Sequence, residues 1–302
     1  MNGTSVLIVV LNWNGCEDTL ACLDSLARLD DPSISILVVD NGSTDQSVVR
    51  IAERHPHVHV IETGANLGYA GGNNVGLRHA ISHRFSYALL LNNDTVVAPD
   101  FVSRLVTACE QDATIGMAGS KVLLHERPDT LWAAGATIDW PQGGRTFLRG
   151  LNQVDHGQYD LVEDVDYVTG CACLVRTSIL HQVGLLDERF GMYYEETEWC
   201  VRIARAGWRV VYVPSSRVWH KVQVGAQDRS PRITYYMARN RLLFLWLTRA
   251  PLPTWLYAIF VQDLRTWLSW RLRPKWRYRA AQREAMVRAW QDFLRGHFGM
   301  AF

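Results

Sequence analysis

The chain has 302 residues, enough for one large or two small domains with a sizeable core. Hydrophobic residues make up 48% and charged residues 20%, as is ordinary for a globular protein. The uncharged stretch between Arg249 and Asp263 has 13 residues and contains two prolines. Because a membrane-spanning helix needs about 20 apolar residues, we expect none here.

The net charge of +1 conceals an uneven distribution. Residues 233–302 carry 12 Lys and Arg against 3 Asp and Glu, hence +9, whereas residues 1–232 carry 19 against 27, hence −8. This split suggests an acidic partner for the basic end, which also holds six of the twelve tryptophans. The six cysteines lack metal-ligand spacing, and strand-like residues begin by Ser5. We therefore expect reduced thiols, no signal peptide and a cytoplasmic location.

Strand and helix patterns alternate through the first hundred residues. Short apolar runs predict strands at 5–11, 36–39, 58–62 and 88–91. Helical spacing predicts helices at 18–29 and 44–54, and a third that follows a glycine-rich loop at 64–74 and ends at His83. This order predicts an α/β fold with a parallel, doubly wound sheet.

The pattern changes in the second half of the chain. Residues 122–157 mix Gly, Pro, Trp and charge, which indicates a hairpin or loop excursion over the sheet. Further patterns predict a strand at 166–176, a helix at 195–206 stopped by Gly207, and a strand at 208–213 ending at Pro214. We place a domain boundary near 225–232. It separates a first domain, residues 1–230, from a basic, Trp-rich helical region, residues 231–302.

Two of the buried strands end in acidic turns, one at Asp40 and one at Asn92, Asn93 and Asp94. In open α/β sheets, ligands bind at the carboxyl ends of the strands, so both turns point at one crevice. A nucleoside diphosphate needs a hard cation such as Mg²⁺ or Mn²⁺, which takes carboxylate ligands, and Asp94 is our candidate. The alternative is that both acids simply form turns and helix caps.

The segment 64–76 holds five glycines and three asparagines. Glycine lets the backbone approach a ligand closely, and Asn offers both donors and acceptors. A flexible surface loop is the alternative. The glycine spacing does not match the dinucleotide fingerprint, which argues against a dehydrogenase.

Three carboxylates, Glu195, Glu196 and Glu198, open the predicted helix at 195–206, and a helix start can hold one of them rigidly toward a cleft, as a general base requires. The helix dipole also favours acidic residues there, which is the structural explanation. We interpret Glu198 and Arg202 as an ordinary surface pair. His220, which follows the last predicted strand, is either a structural residue or a further metal ligand.

In this order, the motifs resemble glycosyltransferase family 2, the inverting nucleotide-sugar transferases with the GT-A fold. The resemblance covers roughly residues 4–222 and rests on the segments 39–45, 66–73, 91–94, 184–190 and 194–198, with Arg202 and His220 beyond. The branch it resembles most is that of bacterial rhamnosyltransferase-like enzymes that build cell-surface polysaccharide. Their tails often resemble the motif Tyr-Tyr-x-x-Arg-Asn-Arg at 235–241.

The resemblance implies a GT-A fold, meaning a Rossmann-like, mostly parallel sheet flanked by helices, with a C-terminal helical extension. It implies that the base of the nucleotide is bound at Asp40, within a pocket formed by Asn12, Asn14, Asp40, Gly42, Asn66, Gly71, Asn73 and Asn93. Asp94 and His220 would hold Mg²⁺ or Mn²⁺, and Glu196, or Glu195, would be the catalytic base. Two departures stand out. Asn92 replaces the first acid of the Asp-x-Asp motif, and the usual Glu-Asp pair is Glu195-Glu196 here, so that Glu196 replaces Asp.

The implied activity is inverting transfer of a sugar from a nucleotide diphosphate donor to a hydroxyl of a lipid-linked or cell-surface glycan. Our first candidate donor is dTDP-rhamnose, and a UDP-sugar is the second. A catalytically inactive protein that binds a sugar nucleotide or glycan is an alternative, which Asn92 keeps open. A sugar nucleotidyltransferase is disfavoured because the turn at 11–15 lacks Lys and Arg.

The tail has a separate predicted role. The apolar residues 242–247, then Trp255, Leu256, Ile259 and Phe260, and the basic, aromatic segment 271–279 fit helices lying in an anionic membrane interface. The acceptor would then be a polyprenyl-diphosphate-linked glycan at the inner face of the cell membrane. The alternatives are a helical hairpin packed on the first domain and a homodimer contact. No nucleic-acid recognition motif is present in the sequence.

Overall fold

The computed structural model describes residues 4–29, 31, 33–221 and 230–301. Its strands are β1 (Val6–Asn12), β2 (Ile34–Asp40), β3 (His59–Glu62), β4 (Tyr87–Asn92), β5 (Thr95–Val97), β6 (Ile115–Leu124), β7 (Arg127–Ala133), β8 (Ala136–Asp139), β9 (Arg145–Leu148), β10 (Glu163–Asp164), β11 (Ala172–Arg176) and β12 (Arg209–His220).

The helices fall into two groups, one that alternates with the strands of the main sheet and one that is C-terminal. The first comprises α1 (Cys16–Leu26), α2 (Ser47–Arg54), α3 (Gly68–Ser82), α4 (Phe101–Gln111), α5 (Leu180–Val183) and α6 (Glu195–Arg205). The second comprises α7 (Pro231–Leu247), α8 (Leu252–Leu256), a π-helical stretch (Tyr257–Leu264), α9 (Arg265–Leu272) and α10 (Ala280–Arg295).

The main sheet has the strand order β10-β12-β6-β11-β4-β1-β2-β3. β3, β2, β1 and β4 pair in parallel, as do β6 and β12, while β11 runs antiparallel between β4 and β6. The predicted α/β class with a mostly parallel sheet is confirmed. This topology brings the carboxyl ends of β1, β2 and β4 to one edge.

The central strands are buried on both faces, which explains their unbroken apolar runs. In β1, Ile8 packs into the core that contains α1 and α4, and Val9 packs into the core that contains α3. α3 comes close to the sheet, since a Cβ on Gly76 would lie 2.3 Å from Val9 Cγ1. That close approach needs glycine.

Two predicted boundaries were wrong. α3 begins at Gly68, inside the predicted loop 64–74, because tertiary packing against β1 outweighs the low helix propensity of its glycines. β12 does not end at Pro214 but runs on to His220. A register shift between Val213 and Arg217 accommodates the proline, which cannot donate a ladder hydrogen bond.

The hairpin predicted within 122–157 is confirmed, and the structure adds detail. β6 continues to Leu124 and pairs with β7, while β8 and β9 form a separate two-stranded antiparallel unit. Gly143 and Gly144 both have positive φ in the turn between β8 and β9. The predicted strand at 166–176 is shorter, since β11 begins at Ala172.

The apolar run at 242–247 does not face outward as a whole. Leu243, Phe244 and Leu245 are fully buried in the core that also holds β1 and α3, and Trp246 is 55% exposed. The assignment of 242–245 to a membrane interface was therefore wrong, because α7 packs on the sheet domain. α10 packs in turn on α7, where Ala285, Met286 and Ala289 are buried against Tyr235 and Tyr236.

Most of the predicted domain boundary at 225–232 lies outside the described residues, and the division into 1–230 and 231–302 stays a prediction. Within the described ranges, no helix is long and apolar enough to cross a membrane.

Candidate active site

A buried polar network joins the carboxyl ends of three neighbouring strands. The Asp40 carboxylate accepts from the Asn12 amide at 2.8 Å and from the Ser43 backbone N–H at 2.9 Å. The Asn93 amide donates to Thr19 Oγ1 at 2.9 Å and lies 3.3 Å from Asn12 Oδ1. The structure thus brings Asn12, Asp40 and Asn93 together. Asp40 is only 2% exposed, so both its oxygens are held rigidly at the floor of the crevice.

Asn14 and Gly42 lie in the turns at the rim of this network. The exposed Asn14 side chain accepts from the Thr44 N–H at 2.7 Å and fastens the two turns together. Gly42 has φ +75°, and a Cβ there would lie 2.7 Å from the backbone of Ala65. The tight approach between the β2 turn and the next loop therefore requires glycine.

Asn66 belongs to the same rim through Asn41, a residue that the sequence did not single out. Asn41 donates to Asn66 Oδ1 and to the Gly68 carbonyl, both at 3.1 Å, and accepts from the Leu67 N–H at 3.0 Å. Asn41 is 1% exposed, so it pins the start of α3 to the end of β2.

Gly71 and Asn73 lie within α3 rather than in a loop. The Asn73 amide donates to the Tyr69 carbonyl of its own helix at 3.0 Å. A Cβ on Gly71 would lie 2.7 Å from Leu67 Cβ. The structure gives both residues partners within the α3 segment instead of joining them to the strand-end network.

Asp94 and His220 meet at the edge of the crevice, since β12 extends far enough to bring His220 Nε2 within 3.1 Å of Asp94 Oδ1. Burial lowers the pKa of His220, but the neighbouring Cys171 sulfur and Asp94 carboxylate outweigh it and raise the pKa to about 10. The imidazole and the carboxylate therefore form an ion pair, and the Cys171 side chain also hydrogen-bonds to His220. A carboxylate and an imidazole, the two expected ligand types, thus sit side by side.

The two glutamates at the start of α6 are also buried. Glu195 is 4% exposed and Glu196 is partly exposed, and each keeps one buried oxygen with no partner in the described part of the chain. Burial raises the pKa of both carboxyls, and the charge of Glu196 raises that of Glu195 further. A carboxylate with a raised pKa is suited to accept a proton from a hydroxyl that reaches it.

The strand-end crevice and the glutamates are linked through Gly170 and Cys171. The Gly170 N–H bonds to the Glu196 carboxylate, and Cys171 contacts His220. The Cys171 carbonyl in turn accepts from the Asn92 N–H at 3.0 Å, next to the Asp94 turn. Both pairs therefore flank the same short segment before β11.

The backbone that enters α6 has an unusual conformation. Tyr193 and Tyr194 have φ of +68° and +75°, which is rare for residues with a Cβ. The Asn240 amide of α7 lies 2.6–2.9 Å from the carbonyls of Phe190, Met192 and Tyr193 and holds this turn.

Arg239 reinforces the same turn, donating to the Phe190 carbonyl at 2.7 Å and to the Gly299 carbonyl at 2.9 Å. Sequence reasoning did not assign these roles to Arg239 and Asn240. The sequence signal for these roles was the Tyr-Tyr-x-x-Arg-Asn-Arg motif at 235–241. Its contacts with the turn before α6 are seen only in the tertiary structure, where α7 packs against that turn.

Glu198 and Arg202 are not an ordinary surface pair. The Glu198 side chain is 9% exposed, and Arg202 also donates to the carbonyls of Val183 and Leu185. The pair was predicted correctly, but its location was wrong, because the turn at 183–185 covers it. It ties α5 to α6.

The arrangement defines a class of protein. An α/β sheet carries a buried network of Asn12, Asp40 and Asn93 at its strand ends, Asp94 and His220 side by side at its edge, and two glutamates with raised pKa values beside them. Solved structures share this fold. A mannosyltransferase from Pyrobaculum calidifontis in complex with GDP-Man and Mn²⁺ matches with a TM-score of 0.59 at 16% identity, covering 96% of this chain and 86% of that one. GalNAc-T7 with UDP, GalNAc and Mn²⁺ matches with a TM-score of 0.61 at 15% identity, covering 88% and 58%.

The sequence model of the family described as "Glycosyltransferase like family 2" matches residues 3–240, and the chain belongs to that family. It is 27% identical over 259 residues to the N-acetylglucosaminyl-diphospho-decaprenol L-rhamnosyltransferase of Mycobacterium tuberculosis, covering 76% of this chain and 82% of the relative. It is 23% identical to the dTDP-rhamnosyl transferase RfbF of Shigella flexneri, covering 82% of each. The chain is thus a rhamnosyltransferase-like glycosyltransferase with the GT-A fold, as the motifs predicted.

Proposed function

We propose that this glycosyltransferase moves rhamnose from dTDP-rhamnose to a hydroxyl of a polyprenyl-diphosphate-linked glycan, with inversion and with Glu196 as the base. The observation that carries the proposal is the placement of Glu196 at the start of α6, where the residue is partly exposed and burial of its carboxyl raises the pKa. Glu195 is the less suitable base because it is 4% exposed. The names of the two relatives support the donor and the acceptor.

In the proposed reaction, the acceptor hydroxyl lies between Glu196 and the anomeric carbon of the donor. Glu196 takes the hydroxyl proton as the oxygen forms its bond to the anomeric carbon. The bond from that carbon to the diphosphate oxygen breaks, and the nucleoside diphosphate leaves with the electron pair. Attack from the face opposite the diphosphate inverts the anomeric centre.

Asp94 and His220 fit a divalent cation, because a carboxylate and an imidazole are both metal-ligand side chains and they lie 3.1 Å apart next to the strand ends. A bound cation would take the place of the proton that now joins them. A group of three or more His, Cys, Asp or Glu is not found in the described ranges, so the diphosphate and water would complete the ligand set. A bound Mg²⁺ or Mn²⁺ would supply charge neutralisation for the departing diphosphate. The proposed nucleotide pocket comprises Asn12, Asn14, Asp40, Gly42, Asn66, Gly71, Asn73 and Asn93.

The test compares Glu196→Gln with Glu195→Gln and with the exposed control Glu284→Gln. We expect Glu196→Gln to lose transfer by at least about 100-fold, the low end for a general base. Thermal shift with dTDP-rhamnose and Mn²⁺ should show that the same variant still binds donor. Wild-type turnover in Glu196→Gln would refute the assignment. No shift of the wild-type protein with any dTDP-, UDP- or GDP-sugar would refute the donor class.

We also propose that the C-terminal helices touch an anionic membrane at its inner face. From α8 to α9 the helical path presents an exposed apolar stripe, formed by Leu252, Leu256, Ile259, Phe260, Leu264, Leu268 and Leu272. The residues repeat at intervals of about four, so they share one face. Five exposed or half-exposed cations follow between Arg271 and Arg279. An apolar face beside basic and aromatic residues suits a lipid interface.

Sedimentation with vesicles that contain phosphatidylglycerol tests this contact. The triple variant Leu256→Gln, Phe260→Gln, Leu264→Gln should release the protein from the vesicles. The control Leu161→Gln, Val162→Gln removes exposed apolar side chains outside the tail and should bind like wild type. If wild type ignores the vesicles and the triple variant instead converts a dimer into a monomer, the stripe is a homodimer contact.

A further inference from the structure

Four arginines converge on a cleft in the C-terminal helices. The cleft has a volume of about 470 Å³ and lies between α7, the π-helical stretch, α9 and the start of α10. Arg145 enters from β9, Arg241 from α7, Arg265 from α9, and Arg279 from the turn before α10. Sequence reasoning assigned no role to Arg145 or Arg265.

The charge in this cleft is not balanced by the protein. Asp263 is the carboxylate among the described lining residues, and it already accepts from Arg241 and from the Trp290 indole at 3.0 Å. Arg145, Arg265 and Arg279 form no ion pair with any described residue. Arg241 is held beside Arg145 although the two repel, and its Nε is buried without a described partner. Such an excess of positive charge favours an anion.

Two of the four cations, Arg241 and Arg279, are held in place by their neighbours, while Arg145 and Arg265 are exposed at the rim of the cleft. Arg241 has a side chain only 12% exposed. The Arg279 guanidinium stacks on Trp270 with its carbon 5.0 Å from the ring centre. A planar guanidinium fixed in this way presents its N–H groups to phosphate oxygens with little loss of entropy.

An apolar groove continues from this cleft. It has a volume of about 580 Å³, it shares Arg265 and Trp270 with the cleft, and it is lined on its outer side by Phe260, Leu264, Leu268, Leu272 and Trp276. Those residues include part of the exposed stripe. A ligand in which a diphosphate is joined to a hydrocarbon chain would place its diphosphate in the cleft and its chain in the groove.

The other end of the cleft approaches the glutamates. Arg145 and Arg241 lie close enough to Tyr194 to interact with it electrostatically, and Tyr194 directly precedes Glu195. Arg145 is also adjacent to Thr146, which hydrogen-bonds Tyr194. The Arg145 end of the cleft is therefore the end nearer to the start of α6, where Glu195 and Glu196 lie.

We infer that the arginine cleft binds the diphosphate of the lipid-linked acceptor and that the adjoining groove takes the first isoprene units. The inference rests on the proposed function, because it locates the acceptor of that reaction. It makes Arg145 and Arg265 binding residues for the acceptor and leaves the strand-end crevice to the donor.

Binding of farnesyl diphosphate to the full-length chain, measured by calorimetry in EDTA, tests the inference, because EDTA removes metal-dependent binding at Asp94 and His220. We expect Arg145→Gln and Arg265→Gln each to weaken binding about tenfold, as the loss of one charge-assisted hydrogen bond would. The control Arg271→Gln removes an exposed cation of α9 that lies outside the cleft and should change the Kd less than about twofold. Leu268→Gln should weaken farnesyl diphosphate but not inorganic pyrophosphate.

Farnesol and inorganic pyrophosphate show which part of farnesyl diphosphate the chain binds. Farnesol that binds as tightly as farnesyl diphosphate would overturn the diphosphate site, and so would equal losses in Arg271→Gln and Arg265→Gln. If pyrophosphate binds as tightly as farnesyl diphosphate, the hydrocarbon chain adds no affinity, and the inference that the groove binds isoprene units is refuted. If farnesyl diphosphate binds as expected but no nucleotide sugar shifts the melting temperature, the proposed donor reaction fails and the cleft stands.

Discussion

Replacing Asn240 with Leu should impair catalysis through the turn that carries the glutamates, without touching the donor crevice. Asn240 is fully buried, and its amide nitrogen reaches three carbonyls at 2.6–2.9 Å. The amide nitrogen has two protons, and the amide oxygen accepts from Arg239 Nε at 2.9 Å, so at most three full hydrogen bonds are lost. Each contributes about 0.5–1.5 kcal/mol net, and the buried carbonyls left behind add a desolvation cost. We expect a loss of about 3 kcal/mol in the free energy of unfolding.

The catalytic effect should exceed what the stability loss alone explains. Tyr193 and Tyr194 hold positive φ only while their surroundings impose it, and Asn240 bonds the Tyr193 carbonyl. Relaxation of that turn would move the first residues of α6. A displacement of about 1 Å at a reacting group can cost about 100-fold in rate, so we expect kcat for transfer to fall by that order while the Kd for donor stays within twofold.

Thr248→Val is the matched control. Thr248 is buried at the far end of α7, where its hydroxyl donates to the Phe244 carbonyl at 2.6 Å. This variant should lose about 1 kcal/mol by urea unfolding and keep its kcat. The positioning role of Asn240 is refuted if Asn240→Leu is destabilised as expected but transfers sugar at the wild-type rate under conditions where it is folded.

Three other predictions concern titration and packing. Burial raises the pKa of Glu195 in the folded protein above its ordinary 4.5. Its contribution to the free energy of unfolding is therefore fully present below pH 4.5 and is lost as the pH rises through the raised pKa. We expect Glu195→Gln to melt at a higher temperature than wild type at pH 8 but not at pH 4.5. Because the pKa of Glu196 is also raised, kcat/KM should decline on the acid side at a pH above 4.5, and a rate that stays level down to that pH would contradict its role as base. Gly76→Ala would force a Cβ to 2.3 Å from Val9 and should cost about 1–3 kcal/mol in urea unfolding, whereas an unchanged midpoint would show that α3 moves freely.

The local order of strands and helices could be predicted because it depends on short-range patterns. The apolar runs before Asp40 and Asn92 are buried on both faces, and such runs form central strands wherever they are placed. Right-handed crossovers then bring their carboxyl ends to one edge. For this reason the crevice, the family and the cluster of Asn12, Asp40 and Asn93 follow from the sequence.

Elements that depend on distant partners could not be predicted in the same way. The glycines of α3 favour a loop by propensity, and only the close approach to Val9 of β1 explains a helix there. Pro214 reads as a strand end, yet pairing with β6 carries β12 on to His220. That extension decides the contact between His220 and Asp94, which lie far apart in the chain.

The sequence by itself determined the α/β class, the family and the types of residue at the strand ends, because these are set by patterns within a few residues. The tertiary structure alone decided that Asn240 holds the turn before Glu195 and that Arg145 meets Arg241, because those contacts join segments far apart in the chain. It also divided the apolar tail into a buried helix and an exposed stripe, since composition cannot tell which face another element will cover.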